Sequence, residues 1–588
     1  TNVTSTAAEL NILDGVTSTT AELNVLDASL KENNSIWIGS DPSGTTDSAN
    51  NNTALGITAM DSITTGDSNT AIGYTALTAN TTGSHNIAVG YNALVGATTG
   101  DENIMIGNFA GGTITTASDN TGIGSAVLYA NTSGHSNTAV GYTALYANTT
   151  GIENTAVGSD SSKANTTGDY NVAVGGNALI TATTGDSNTG IGYNALAATS
   201  TGQYNTAVGS AALATNTTAD NNTAVGRNSL LVNTTGATNT ALGVNALYAN
   251  TTASGNIAVG YGSLENNTTG AENTAVGTNS LKQNSTASNN TAVGNNALTA
   301  NTTGSNNTAV GYNSGLSLTT ATYSTFIGTF SGDSTTTGTY NTAIGGASFA
   351  DNTTGSNNVA VGTSSLADNT TANDNTAIGF EALRLNTTGA NNTSVGYRAL
   401  DANTTAAYSN NLTTGTSNTI IGNYARTSAA DVSGEIAIGR YVIGQGNSTA
   451  TIGINGNGAT IAIDGSATSW AAHSDERLKE NITSSTAGLS FINDLRPVTY
   501  NWKAKNAISE EFTNYYDADS TAPVNGVVGK TYHGFVAQEM KATIDAHAEV
   551  ENGNNLWAER VDDIQHVAPG HLVPMLVKAV QELSAKVE

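Results

Sequence analysis

The chain has 588 residues, of which only 11% are charged and 65 are glycine, and its formal net charge is −27. That acidic balance argues against nucleic acid or an anionic membrane surface as a partner, because both require basic patches. Cysteine is absent, which removes disulfides, thiolate metal sites and cysteine nucleophiles together, and no apolar run reaches the roughly 18 residues that a membrane span needs. Residues 1–34 open with a 13-residue repeat, TSTAAELNILDGV (4–16) followed by TSTTAELNVLDAS (17–29), in which Leu10 and Leu13 match Leu23 and Leu26. Each unit predicts a short amphipathic helix with Ser or Thr near its start. So short a helix is marginal alone and must pack against copies of itself or a partner.

From Gly39 to Gly396 a dipeptide of Val, Ile or Leu followed by Gly recurs every 17 residues, giving 22 units. The consensus reads N-T-A-V-G-Y-N-A-L-x-A-N-T-T-G-x-x. Seventeen residues are too few for a helical repeat and suit one coil of a β-solenoid. Two short strands per coil are expected, with Val or Ile filling a narrow core and the key Gly allowing close backbone approach. At the spacing of neighbouring strands, roughly 4.8 Å, 22 coils make a rod about 105 Å long. The NTTG segment predicts a turn, since Asn and Gly accept left-handed geometry. Asn sits four positions before the key Gly in almost every coil (Asn69, Asn86, Asn103 and onward to Asn392), which suits a stacked amide ladder more than a ligand site. Tyr74, Tyr91, Tyr142, Tyr193, Tyr261, Tyr312 and Tyr397 share a second register, and such a stripe can stack on sugar rings or pack at a subunit interface. Acidic residues of the rod such as Asp67, Asp101, Glu102 and Asp169 fall in turns, where solvation is the default reading and Ca²⁺ binding the alternative.

The consensus NTAVGYNAL, and NIAVGYNAL at 86–94, resemble the head repeats of trimeric autotransporter adhesins. That resemblance implies a trimeric β-roll over residues 35–455. The 13-residue units resemble the linking repeats of bacteriophage tail fibres, which implies virion-attachment sequence upstream of Thr1. The period breaks once, because Gly396 and Gly422 are 26 residues apart. An insertion in a solenoid maps to a loop on one face, often the binding face. Tyr408, Asn410 and Asn411 in this insertion are therefore candidate receptor contacts. A junction at 456–473 follows.

Composition changes near Ala472. Residues 474–588 hold ten Lys and Arg, whereas 35–470 hold seven. The stretch His571–Val587 places Leu572, Met575, Leu576, Ala579, Val580, Leu583 and Val587 at near-heptad spacing, apt for a three-stranded bundle or for one core-facing helix. SDERLKENI (474–482), LRPVTYNW (495–502), HGFVAQEM (533–540) and the terminal helix resemble the endosialidase-type intramolecular chaperone that ends many phage tailspikes and tail fibres. The resemblance implies trimer assembly and then self-cleavage between His473 and Ser474, with Ser474 as nucleophile and Lys479 as general base. A Ser hydroxyl does need an adjacent base, and Lys serves only when burial or a nearby cation depresses its pKa. Arg477 can supply that cation, while Asp475, Glu476 and Glu480 oppose it. The five-residue spacing would set the two side chains about 140° apart on a regular helix, so the pair needs a turn or a contact across subunits. His533 and Gly534 are candidates for supporting the fold or an oxyanion site.

The sequence therefore predicts a mainly β fold: a trimeric β-solenoid of 17-residue coils with a small α+β chaperone domain ending in a helix. The leading function is a phage tail fibre that binds a bacterial surface glycan or protein. The alternatives are a bacterial trimeric adhesin bearing the same chaperone and an enzymatic, polysaccharide-degrading tailspike. The last is disfavoured because the rod has no paired carboxylates in an irregular domain. The only chemistry expected is self-cleavage, with no cofactor and no metal. The expected partners are two further copies of the chain, the host receptor and a virion tail protein at the N-terminus. Synthesis in the host cytoplasm and residence on the extracellular virion tail follow from that reading.

Overall fold

In a computed structural model, the described residues are 35–39, 48–400, 413–455, 457–464, 471–472, 482–510, 516–525, 527–551, 556–559 and 565–587. The 13-residue units lie outside them. Contacts divide the chain into two compact units, Thr1–His473 and Ser474–Glu588.

The first unit is a parallel β-solenoid. Each coil contributes one short strand, from Ile36–Gly39 and Thr53–Gly56 through to Ile436–Ile438, and each pairs in parallel with the next. Register is invariant: Thr70 faces Ile87, Ala71 faces Ala88 and Ile72 faces Val89. Side chains alternate across a strand, and here the middle residue points inward. Ala71, Ala88, Ala139 and Ala156 are fully buried, as are Leu77, Leu94 and Leu145 from the position four residues after the key Gly. The expectation that Val and Ile fill the core is therefore corrected. Ile72, Ile106 and Ile123 face outward, because the narrow coil leaves room for little more than a methyl side chain inward in most strands.

Core volume is conserved across coils rather than within each one. Phe326 replaces a core Ala, and the two neighbouring core Leu positions become Gly315 and Gly332. A Cβ on Gly332 would lie 2.4 Å from the Phe326 ring. Met105 is accommodated likewise by Gly111 and Gly122, where a Cβ on Gly122 would lie 2.4 Å from the Met105 sulfur. Close-packed interiors leave no other room for the larger side chain.

The second expected strand is absent from each described coil. Three residues per coil instead hold left-handed backbone, as in His85, Asn92 and Leu94 (φ 60°, 56° and 54°). Alternating handedness prevents an extended segment, yet the backbone still bonds the next coil: Leu77 N–H donates to Ala93 O at 2.9 Å and Thr81 N–H to Thr98 O at 2.9 Å. The NTTG turn is also corrected. Its residues are not left-handed; at Gly83 a Cβ would lie 2.4 Å from Gly100 O, yet Ala takes the equivalent position at Ala219, Ala253 and Ala287, so the site asks for a small residue. The key glycines do adopt positive φ, as in Gly226 at +130°.

The predicted Asn ladder is present and buried. Asn86 Oδ1 accepts from Asn103 N–H at 3.0 Å and from Asn103 Nδ2 at 3.1 Å, while Asn86 Nδ2 donates to Asn69 Oδ1 and to Gly100 O. A second ladder runs through the Asn of NTTG: Asn148, Asn165 and their equivalents are buried, and Asn165 Nδ2 donates to Asn148 Oδ1 at 2.8 Å. These amides satisfy backbone groups that the turns would otherwise bury unpaired.

Across the 26-residue interval the stacking is unbroken, since Thr393 pairs with Thr419 and Asn418 N–H still donates to Asn392 Oδ1 at 3.0 Å. The main ladder ends at Glu435, fully buried in the Asn register; its carboxylate accepts from Ser428 N–H at 3.0 Å and Gly446 N–H at 2.7 Å. The last parallel partner, Thr449–Ile454, then pairs antiparallel with Asn457–Ala462.

The second unit is a small α+β assembly. Helices Leu489–Asp494, Ala537–Ala546, Ala548–Glu551 and Val573–Val587 surround the core residues Phe491, Met540, Ile544, Val550, Leu556 and Leu572. Two short antiparallel pairs accompany them, Val498–Tyr500 with Tyr532–Gly534 and Trp557–Glu559 with Gln565–Val567.

Candidate functional site

The junction residues His473, Ser474, Arg477 and Lys479 lie outside the described residues, as do Tyr408, Asn410 and Asn411. His533 and Gly534 are described. They occupy the strand Tyr532–Gly534, with His533 opposite Thr499 and Gly534 opposite Val498. His533 is exposed. Gly534 packs under Tyr500, whose ring carbon would lie 3.2 Å from an added Cβ. Its glycine identity thus serves strand packing.

The terminal helix bears apolar residues on two faces. Leu572, Met575 and Ala579 turn toward the core, while Val573, Leu576, Val577, Val580 and Leu583 are exposed on the other side. The core-facing reading of the heptad-like spacing holds for the inner stripe, and the outer stripe is exposed in the single chain. Glu582, on the inward side, accepts from Leu489 N–H at 2.9 Å and so caps the helix Leu489–Asp494, whose N-terminal residues supply no side-chain cap.

Sequence reading missed His547. Its ring stands edge-on to Phe491 with 5.4 Å between centroids, and it bonds Glu549 through Nδ1 at 2.8 Å and Asp494 through Nε2 at 2.9 Å. The hydrogen bond to Glu549, and then that to Asp494, raises the imidazole pKa. A raised imidazole contributes stability that is complete below its unfolded value, near 6.5, and is lost as pH rises through the folded value. Melting of this unit, followed by tryptophan fluorescence, is therefore expected to move to lower temperature as pH is raised above about 6.5. His547→Gln should flatten that dependence, and an unchanged pH profile in the variant would refute the assignment. Nothing in the spacing of 545–549 marked this cluster, because its partner Asp494 is 53 residues away.

Arg496 and Glu539 form an ion pair beside a cleft of about 320 Å³ lined by Leu495, Phe535, Val536 and Met540. The blocks LRPVTYNW and HGFVAQEM thus meet in space: Arg496 belongs to the first and Glu539 to the second.

Residues 474–549 match the chaperone of endosialidase. The chaperone match covers the helix Leu489–Asp494, the strand pair Val498–Tyr500 with Tyr532–Gly534, and the helix Ala537–Ala546. The terminal helix Val573–Val587 lies beyond it. No curated protein and no solved structure gives a significant match to the chain. Among the described residues, no group of three or more His, Cys, Asp or Glu is placed to hold a metal, and no helix is long and apolar enough to cross a membrane.

Proposed function

We propose that the chain is a bacteriophage tail fibre, a homotrimeric host-binding shaft whose C-terminal chaperone directs trimer assembly and is released by self-cleavage between His473 and Ser474. The observation that carries this reading is the chaperone match at 474–549. Two exposed apolar surfaces support a trimer. One is the outer face of the solenoid sheet, where the third strand position holds exposed Ile72, Ile106, Ile123, Ile191 and Leu242 in one column that is Val, Ile or Leu in every coil. Patches beyond a few hundred Å² are rare on soluble monomers and mark interaction surfaces. The other is the outward stripe of the terminal helix, with Val580 65% and Leu583 52% exposed. The chain divides into two compact units at this junction, as a releasable C-terminal domain requires. In this reading Ser474 Oγ attacks the His473 carbonyl carbon while Lys479 takes its proton and passes it to the departing Ser474 nitrogen, water then hydrolyses the resulting ester, and Tyr408, Asn410 and Asn411 contact the host receptor on an extracellular virion tail.

Purified chain on a denaturing gel should yield fragments 1–473 and 474–588. Unboiled samples should run as trimers, with a light-scattering mass of three chains. Ser474→Ala and Lys479→Ala should each leave full-length protein that still trimerises. Cleavage at the same bond in Ser474→Ala would refute the dyad, and a monomer mass would refute the assembly.

A further inference from the structure

The seven Lys and Arg residues of the rod are unevenly placed. Residues 35–378 hold three of them against eighteen Asp and Glu, whereas 379–441 hold four, Arg384, Arg398, Arg426 and Arg440, against four acids. The same coils carry a continuous column of four aromatic rings off the sheet face; a five-ring column from Tyr74 to Tyr146 lies in coils with no arginine. Phe380, Tyr397, Tyr424 and Tyr441 contact one another in successive coils with ring centroids 5.3, 5.4 and 5.0 Å apart. Phe380, Tyr397 and Tyr441 are 38–44% exposed. Two arginines are set against these rings. Arg398 lies 5.7 Å from the Phe380 centroid and 5.8 Å from that of Tyr397, and Arg440 lies 5.7 Å from that of Tyr441. Glu381 pairs with Arg398 at 2.6 Å, and Arg440 reaches Asn455 Oδ1 at 3.3 Å while remaining exposed.

The stacked rings turn their faces to one another and leave exposed apolar edges that pack against sugar rings, and guanidinium groups bind carboxylates. A neutral glycan would use the rings alone, and a bare polyanion the arginines alone. Their interleaving selects a polymer that has both. We propose that the column from Phe380 to Tyr441 is a binding strip for an acidic polysaccharide, with sugar rings packed against the exposed ring edges and a carboxylate held by the exposed Arg440. This deepens the host-binding reading above and rests on it. The column occupies positions one and two residues after the key glycines, distinct from the strand face proposed above as the subunit contact.

The test is binding of the intact oligomer to three labelled probes: polygalacturonate, neutral dextran and polyphosphate. Polygalacturonate should bind at least tenfold more tightly than either of the others. Tyr424 and Tyr441 are left-handed, at φ 53° and 54°, and Asn occupies the equivalent left-handed site at Asn194, Asn228 and Asn245. Tyr424→Asn with Tyr441→Asn therefore preserves the backbone and should lower polygalacturonate affinity tenfold or more, as should Arg440→Gln. The control is Tyr323→Asn with Tyr340→Asn, which removes a stacked pair that no arginine accompanies and should change affinity less than twofold. Absence of polygalacturonate binding, equal binding of polyphosphate, or retained affinity in the double variant would each overturn the proposal. So would loss of the oligomer in the double variant, which would make the column a subunit contact. Gel mobility and self-cleavage are scored separately, so failure of the strip is distinguishable from failure of the tail-fibre reading.

Discussion

Gly226→Val is expected to split the solenoid into two stacks that melt separately. Gly226 holds φ +130°, and its missing Cβ would lie 2.5 Å from Gly243 O and 2.6 Å from Gly243 C in the next coil. Both atoms are backbone of a coil fixed on its far side by a further glycine, so neither can move away without carrying the stack. A β-branched residue adds dihedral strain of about 1–3 kcal/mol to that overlap. The coils around 226 and 243 must therefore separate, at a cost above about 4 kcal/mol, the range reached only by specific structural lesions. In a repeat protein stability is a sum of nearest-neighbour terms, so the damage is local and exposes a new edge on each side. Hydrogen exchange should show lost protection around 220–260 with distant coils unaffected, whereas Arg227→Ala next door should leave the profile intact. A Gly226→Val chain with parental protection throughout would refute the close-approach argument.

Asn239→Leu tests the amide ladder with a side chain of similar shape. Asn239 Nδ2 donates to Asn222 Oδ1 at 3.2 Å and to Ala253 O at 2.8 Å, and its Oδ1 accepts from Asn256 N–H at 3.0 Å. Leucine removes all three and leaves the Asn256 N–H buried without an acceptor. An orphaned buried donor costs about 1–3 kcal/mol and each lost bond about 1 kcal/mol, so destabilisation of about 3–5 kcal/mol is expected. The protein contains its own rescue. At Ser324 a hydroxyl stands in the ladder and accepts from Asn341 N–H at 3.2 Å. Asn239→Ser should therefore cost much less than Asn239→Leu in the same exchange measurement. Equal losses would show that the amide oxygen is not what the site requires.

Much of this architecture was legible because a 17-residue period fixes what stacks on what. Once Gly226 and Gly243 are known to be neighbours, the glycine column and the Asn ladder follow. What the period did not reveal was which way each residue points. Val and Ile are the more apolar members of T-A-V, so hydrophobicity assigned them inward, while the narrow coil selects Ala71 and Ala88 for the interior on size. Leu94 at φ 54° was equally invisible, since no propensity places a buried Leu in left-handed backbone; the coil-to-coil hydrogen bonds and burial impose it. In the chaperone unit the sequence blocks were readable one by one, but the pairs Arg496 with Glu539 and Asp494 with His547 join residues more than 40 positions apart and carry no local signal.

A stack of near-identical coils has no inherent length. Its terminal coil presents open N–H and C=O groups that would accept another coil, from the same chain or a foreign one, and such edges seed runaway polymers. Here the molecule carries a stop codon of sorts in its stereochemistry. Glu435 turns the amide column onto the loop N–H groups of Ser428 and Gly446, and after one more parallel strand, Thr449–Ile454, the chain reverses direction as Asn457–Ala462. An antiparallel neighbour cannot template a parallel coil. Evolution can therefore duplicate or delete 17-residue units upstream and lengthen or shorten the shaft, while the closing chemistry at its end is inherited unchanged.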